Sequence, residues 1–449
     1  MRFEGKRVLI VGLAESGKAA AGFLGHRGAI VSATDSQPAE KLATVKTELE
    51  KQGVACHFGG HPDSLFIEQD MIVPSPGVPW NLPQLEAARC SGVLVMGELE
   101  IAAGLLEGRV IGVTGTNGKT TTTALIGHIL ESAGRRVQIG GNIGRPVLSM
   151  VEESTPDTWN VLELSSFQLE AMNSFRSQIA VVLNIKPDHL DRHGTFEAYT
   201  AAKERIMRAQ ENGDQLVLNA DDAVCRGFAD ASKAEVVWFS RTSSGGDEDG
   251  TFGAVVQDDW LLWKGERVTE TTLPIRGGHN LENALAAVAA TSLAGIPADE
   301  IGRAIQSFRP VEHRLEFVRS IAGVDYYNDS KATNVDATLK ALEAFDSGLW
   351  VILGGTDKGS DYRTLRNALA GRAKACLLIG AAARKIEQQL DGRVPIHMLG
   401  TLERAVEFAR RKATPGDTVL LAPACSSFDQ FDNYQHRGRV FKELVASLA

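Results

Sequence analysis

The residues with the most evident chemistry are Gly115-Thr116-Asn117-Gly118-Lys119-Thr120. They follow an apolar run, Val110–Val113, and open a helical pattern from about Thr121 to Leu130. Glycines at Gly115 and Gly118 let backbone N–H groups curl around phosphate oxygens. The helix start adds partial positive charge. Lys119 supplies a point charge for β- and γ-phosphates, and Thr120 offers a hydroxyl to Mg2+. The usual Walker spacing would put a glycine at Val113. Here it sits at Gly115, giving a compact G-x-x-G-K-T turn.

Moving a phosphoryl group needs metal ligands and an acceptor as well as a cradle. Glu163 closes the apolar run Val161-Leu162-Glu163, on the strand expected after the phosphate-loop helix, so its carboxylate is placed to reach Mg2+. Asn184 through His193 packs Lys186, Asp188, His189 and Asp191 behind another apolar run, at the same expected sheet edge. His189 could ligate a metal or hold a substrate carboxylate. Lys203, inside a helical stretch, reads by itself as a solvated helix lysine. Asn280 and Asn283, at i and i+3, share one face of an alanine-rich helix from Asn280 to Leu293.

These residues need a scaffold, and the chain has the material for one. Its 449 residues suggest about three domains at roughly 150 residues each. Hydrophobic residues make up 43% and charged residues 23%, as in globular proteins. The net charge of -9 argues against a general nucleic-acid binder, which would carry a basic excess. Five scattered cysteines without a C-x-x-C pair fit a reducing cytoplasm. No apolar run approaches a membrane span, so no membrane partner is expected.

Short Val- and Ile-rich runs recur at Val8–Val11, Val110–Val113, Val161–Leu164, Ile179–Leu183, Leu216–Leu218, Leu349–Leu353, Ala375–Ile379 and Thr418–Leu421. They read as buried parallel strands, and helical patterns lie between many of them. The chain is therefore expected to be α/β, with ligands at the carboxyl ends of strands. Breaks are expected near Gly97 and near Phe308-Arg309-Pro310, and Thr242–Gly250 reads as an exposed polar loop.

Taken in order, the phosphate loop, Glu163-Leu164-Ser165-Ser166-Phe167-Gln168, Asn184 to His193, Lys203, Gly278-His279-Asn280 to Asn283, and His313-Arg314 resemble the Mur ligases. The resemblance covers essentially the whole chain. Asn328-Asp329-Ser330-Lys331-Ala332-Thr333-Asn334, Gly354 to Lys358, and Pro423 to Asn433 are similar to the members that join D-glutamate to UDP-N-acetylmuramoyl-L-alanine.

The resemblance implies three domains. These are a Rossmann-like UDP-binding domain over 1–97, a central P-loop ATPase-type parallel-sheet domain over 98–309, and a Rossmann-like α/β closing domain over 310–449. It implies an ATP-dependent amide ligase of cytoplasmic peptidoglycan precursor synthesis, acting as a monomer, with two Mg2+ ions. It implies a carbamate on Lys203, formed from CO2. Lys119, Glu163, His189, Lys203 and Arg314 would be catalytic, and Thr120, Glu163, His189 and Lys203 would hold metal. ATP would be held by Gly115 to Thr121, Asn280, Asn283, Arg314 and Asp329. D-Glutamate would meet Lys331, Thr333, Lys358, Ser427 and Tyr434. Relatives have Phe at the last position, so Tyr434 adds a hydroxyl.

At the N-terminus, Gly12-Leu13-Ala14-Glu15-Ser16-Gly17 is a dinucleotide-type fingerprint with Ala replacing its middle Gly, and Asp35 stands where a ribose-binding acid belongs. Alone this would suggest NAD(P). The resemblance assigns the place to UDP instead, through Ser16, Asp35, Ser75 and Gly77. Asn142 and His189 would contact the rest of the UDP-substrate. Ser36-Gln37 departs from the Thr-Arg often seen in relatives, and a lost Arg would weaken uracil-side contacts.

Overall fold

The computed structural model describes residues 2–242, 252–275, 278–309 and 312–448. Most of the loop expected at Thr242–Gly250 lies outside them. The chain forms two compact units. One comprises Met1–Ile185, Arg192–Val268 and Leu285–Gly302; the other comprises Lys186–Asp191, Thr269–Ala284 and Arg303–Ala449.

The first unit opens on β1 (Arg7–Val11), β2 (Ile30–Asp35), β3 (Ala55–Phe58), β4 (Met71–Pro74) and β5 (Leu94–Val95), joined in the order β3-β2-β1-β4-β5. All four pairings are parallel. The chain crosses from one side of β1 to the other between β3 and β4, which leaves a crevice at the carboxyl end of β1, where such sheets bind ligands. Gly12 turns the chain there at φ +86, and a Cβ on Gly17 would stand 2.0 Å from the Gly12 carbonyl. Both positions therefore require glycine.

A second sheet follows: β6 (Arg109–Thr114), β7 (Arg136–Gly141), β8 (Thr158–Glu163), β9 (Ile179–Val182), β10 (Gln215–Asn219), β11 (Glu235–Ser240), β12 (Phe252–Gln257), β13 (Trp260–Trp263) and β14 (Glu266–Glu270). Their order is β14-β13-β12-β11-β10-β9-β6-β8-β7. Register sets the site. Glu163 at the end of β8 pairs with Val113 of β6 on one side and Gly141 of β7 on the other. Thr114 pairs with Val182 of β9. The loops leaving β6, β7, β8 and β9 therefore share one edge.

In the other unit, β15 (Glu316–Ile321), β16 (Val324–Asn328), β17 (Leu349–Gly354), β18 (Ala373–Ile379), β19 (Ile396–Gly400) and β20 (Thr418–Leu421) run in the order β15-β16-β20-β17-β18-β19. Only the β15–β16 pairing is antiparallel. Apolar side chains fill both faces, one around Leu342, Tyr362 and Leu378, the other around Tyr326, Leu377 and Phe441.

All eight apolar runs read as strands lie on parallel strands, so the α/β class is as expected. Antiparallel β12–β13 and β15–β16 are additions. No helix among the described residues is long and apolar enough to cross a membrane.

Candidate active site

The phosphate loop is built as its residue types require. Gly115 (φ +149) and Gly118 (φ +86) occupy backbone conformations that L side chains rarely adopt, and Gly118 leads into the helix Lys119–Ser132. The Asn117 N–H donates to Asn184 Oδ1 at 2.9 Å, and Asn184 Nδ2 donates to the Asn117 carbonyl at 3.2 Å. That reciprocal pair fixes the loop against the end of β9. Lys119 Nζ reaches back to the Gly115 and Thr116 carbonyls at 2.8 and 2.7 Å. Thr121 Oγ1 is buried without a hydrogen-bond partner, a polar atom in the first helical turn that a ligand can satisfy.

Glu163 is 1% exposed, and its two oxygens are held separately. Oε2 accepts from Thr120 Oγ1 at 2.7 Å, and Oε1 accepts from Asn142 Nδ2 at 2.8 Å. Gly141 delivers Asn142: a Cβ there would lie 2.3 Å from the Glu163 carbonyl, so the two strands approach this closely only with glycine. A carboxylate and a hydroxyl together are hard oxygen donors of the kind Mg2+ selects. Thr120 and Glu163 thus fit that ion.

Lys203 is 1% exposed on the helix Phe196–Glu204, contrary to its reading as a solvated lysine from local sequence. Nζ donates to the Gly115 carbonyl at 2.7 Å and to Thr114 Oγ1 at 3.4 Å, and lies 4.9 Å from the Tyr199 ring centre. The Tyr199 hydroxyl also meets Thr116 Oγ1 at 3.0 Å. One N–H suffices for the carbonyl, so a carbamate on Nζ is chemically compatible with the Gly115 contact.

In the five-stranded sheet, Ser75 Oγ donates to the Gly12 carbonyl at 2.7 Å. Asp35 accepts from the Leu13 N–H at 2.8 Å and the Gln37 N–H at 2.9 Å. Its carboxylate therefore shapes the turn after β1, and each oxygen keeps a second lone pair for a ligand. Ser16 lies in the first turn of the helix Glu15–His26, and Gly77 has open space where a Cβ would stand.

Asn280 and Asn283 lie at 3% and 4% exposure on the helix Gly278–Leu293, Asn283 Nδ2 donating to Asn280 Oδ1 at 2.9 Å. His189 has φ +52, and its Nε2 lies 3.7 Å from Asp188 Oδ2.

In the second unit, Arg314 Nη1 lies 3.8 Å from Asp329 Oδ1, which also accepts from the Leu315 N–H at 3.3 Å. Burial pushes the Asp329 carboxyl up to about 6 against the pull of Arg314. Lys331 Nζ donates to the Tyr434 hydroxyl at 3.0 Å, and the Thr333 N–H donates to the Lys331 carbonyl. The Thr356 N–H donates to the Ser426 carbonyl at 2.9 Å. That bond joins the loop carrying half-buried Lys358 to the loop carrying Ser427.

Three family models match consecutive stretches: a Mur ligase MurD-like N-terminal domain over residues 6–97, a Mur ligase middle domain over 113–291, and a Mur ligase glutamate ligase domain over 313–425. The chain is 54% identical over 449 residues to the UDP-N-acetylmuramoylalanine–D-glutamate ligase of Solibacter usitatus, covering 100% of this chain and 99% of that one. The chain belongs to the Mur ligase family. A second Mur ligase of the same printed name, from Acidobacterium capsulatum, is also 54% identical, over 99% of this chain and 97% of its own. Among solved Mur ligase structures, UDP-N-acetylmuramate-alanine ligase MurC from Thermotoga maritima gives a TM-score of 0.64 at 20% identity, covering 98% of this chain and 99% of that chain. The pseudomurein peptide ligase type C from Methanothermus fervidus gives 0.62 at 20% identity, covering 99% and 100%. At that identity the likeness concerns the fold alone.

One residue of this Mur ligase escaped sequence reasoning. Arg437 is 1% exposed. Its Nε donates to Ser330 Oγ at 2.9 Å, Nη2 to the Ser330 and Cys425 carbonyls at 2.9 and 3.2 Å, and Nη1 to the Ser426 carbonyl at 3.4 Å. It ties the Asp329–Lys331 turn to the Cys425–Ser427 turn. The signal was Arg437-Gly438 on the buried face of the last helix. Gly438 lets His313 approach, since a Cβ would lie 2.3 Å from His313 Nδ1.

Proposed function

We propose that this chain joins D-glutamate to UDP-N-acetylmuramoyl-L-alanine at the expense of ATP, through an acyl phosphate, in peptidoglycan precursor synthesis. Identity of 54% across the full chain with two ligases of that name supports the substrate pair. The observation that carries the chemistry is the Glu163 carboxylate, held by Thr120 at the phosphate loop and by Asn142 at the next strand end. Residues 1–97, 98–309 and 310–449 are read as the UDP-binding, ATP-binding and amino-acid-binding domains.

In this reading the substrate carboxylate attacks the γ-phosphorus of ATP and ADP leaves. The D-glutamate amine then attacks the acyl carbon, and the amide forms as orthophosphate departs. Lys119 leaves the loop carbonyls to pair with the phosphates. Gly115 to Thr121 cradle them with backbone N–H groups. Arg314 spreads the charge that develops during transfer. Asn280, Asn283 and Asp329 hold the nucleoside side of ATP. Thr120, Glu163, His189 and carbamylated Lys203 would hold Mg2+, which neutralises phosphate charge when bound. Ser16, Asp35, Ser75, Gly77, Asn142 and His189 orient the UDP-substrate. Lys331, Thr333, Lys358, Ser427 and Tyr434 receive D-glutamate, whose two carboxylates call for fixed cations and hydroxyls. The enzyme acts as a cytoplasmic monomer.

The test is ADP release that depends on both UDP-N-acetylmuramoyl-L-alanine and D-glutamate. A heavy-oxygen label in the acceptor carboxylate should pass into orthophosphate. Amide formation without that transfer would overturn the acyl phosphate.

A further inference from the structure

Glu98 is a buried acid that the mechanism above does not use. It is 4% exposed in the helix Glu98–Ala102, which follows the five-stranded sheet. Its Oε1 accepts from the Leu148 N–H at 3.0 Å. The Ser16 hydroxyl and the Val147 N–H lie near enough to draw its pKa down, while Oε2 is buried without a hydrogen-bond partner. Burial raises its pKa above the usual carboxylate range. A buried polar atom left unsatisfied costs stability, so the position invites a reason beyond packing.

The neighbours supply one. Ser16 stands in the first turn of the helix Glu15–His26, just after the glycine turn at the end of β1. Val147 and Leu148 follow directly on the loop that leaves β7 with Asn142, and Pro146 precedes them. Their N–H groups open a helical turn and have no acceptor of their own within it. The helix Glu15–His26 packs on the segment Val147–Glu153, as does the helix of Glu98. Ser16 and Asn142 belong to different sheets of one unit, yet the proposed reading gives both to the same substrate.

We propose that Glu98 is a positioning residue for the UDP-substrate. Its bond to the Leu148 N–H anchors the Val147–Glu153 segment, on which the helix of Ser16 also packs, and so fixes the spacing between Ser16 and the Asn142 loop. The inference rests on the UDP-substrate assignment above. Glu98 touches no reacting atom, so its loss should weaken binding of this substrate and leave phosphoryl transfer intact.

The experiment measures KM for each substrate, and calorimetric binding of UDP-N-acetylmuramoyl-L-alanine, in the full chain and four variants. Glu98→Ala should raise KM for the UDP-substrate roughly tenfold, the effect of losing one or two buried hydrogen bonds. Its ATP KM and kcat should stay within about twofold, a split that a general structural defect would not give. Glu98→Gln, which keeps the side-chain length and an acceptor for the Leu148 N–H, should restore wild-type KM. Glu98→Asp, one methylene shorter, should fold and lie between, which keeps the test open if the alanine variant does not fold. Glu100→Ala is the control. Glu100 instead binds Asn173 and Ser174, in the segment before β9, and its loss should leave the UDP-substrate KM unchanged. Wild-type binding by Glu98→Ala, or an equal rise in the ATP KM, would overturn the inference. So would a glutamine variant as impaired as the alanine one. Failure of the wild-type chain to bind the UDP-substrate would instead sink the proposed function.

Discussion

Lys203 Nζ lies 2.7 Å from the carbonyl oxygen of Gly115, in the turn that forms the phosphate loop. A buried ammonium there sets a cation beside the place where metal-bound phosphates would gather. A carbamate keeps one N–H for the Gly115 carbonyl and presents anionic oxygens instead. Lys203→Arg retains charge and length but has no amine to carbamylate. It should fold, by circular dichroism, and lose roughly a hundredfold or more of ADP release. An arginine variant of near wild-type activity would remove the carbamate, as would an intact mass lacking added CO2 in active enzyme.

Asn142 would bear on the proposed metal site through Glu163. Its Nδ2 fixes Oε1 and leaves Oε2 facing Thr120. Removing such an outer partner typically weakens metal binding about 10–100-fold. Asn142→Ala should therefore shift the Mg2+ dependence of ADP release upward by that range and raise the UDP-substrate KM. A variant with an unchanged Mg2+ requirement would restrict Asn142 to substrate contact.

The phosphate loop was legible because glycine, lysine and threonine must be local to work, and their strand and helix are local too. Glu163 was legible for a similar reason, at the end of an apolar strand. Lys203 was not. Its role depends on the helix Phe196–Glu204 being carried against Gly115, a contact across 88 positions that no local pattern encodes. Asp35 was half legible. Spacing from Gly12 marked it for ribose, while the fold commits its oxygens to the Leu13 and Gln37 N–H groups as well. Antiparallel β12–β13 escaped because Trp260-Leu261-Leu262-Trp263 lacks the alternation of a half-exposed strand.

Tyr434 adds a hydroxyl to the proposed D-glutamate pocket, and Lys331 Nζ spends one hydrogen on it. Tyr434→Phe keeps the ring, 4.7 Å from Nζ, and releases the ammonium. One charge-assisted bond corresponds to roughly tenfold in KM for D-glutamate. The ATP KM should not move. Equal changes in both constants would show that Tyr434 acts on the fold and not on the pocket.

Asp329 gives the chain a pH signature. Burial holds its carboxyl near about 6, so the folded chain binds this proton more tightly than the unfolded chain does. Its contribution to stability is therefore largest in acid and declines as pH rises through the interval from about 4 to 6. Function runs the other way. The Arg314 pairing needs the carboxylate, so the ATP KM should rise as pH falls below about 6. Asp329→Asn should show a high ATP KM without that rise. A wild-type ATP KM that is flat between about pH 5 and 8 would separate Asp329 from nucleotide binding.

Arg437 makes the strongest prediction about the second unit. Burial lowers its pKa to about 10, so the guanidinium remains charged at neutral pH and must be satisfied by what surrounds it. The Ser330, Cys425 and Ser426 carbonyls do this, and no carboxylate hydrogen bond to it is among them. Arg437→Met fills similar space and leaves those carbonyls facing an apolar chain. The loss should be roughly 3 kcal/mol or more, read as a lower denaturant midpoint for the transition of this unit. Arg437→Lys keeps the charge but cannot reach four acceptors from one nitrogen, so it should fall between. Because the same carbonyls set the turn that carries Ser427, the lysine variant should also raise the D-glutamate KM. If the methionine variant unfolds at the wild-type midpoint, the two turns are held by other contacts and Arg437 is dispensable to the pocket.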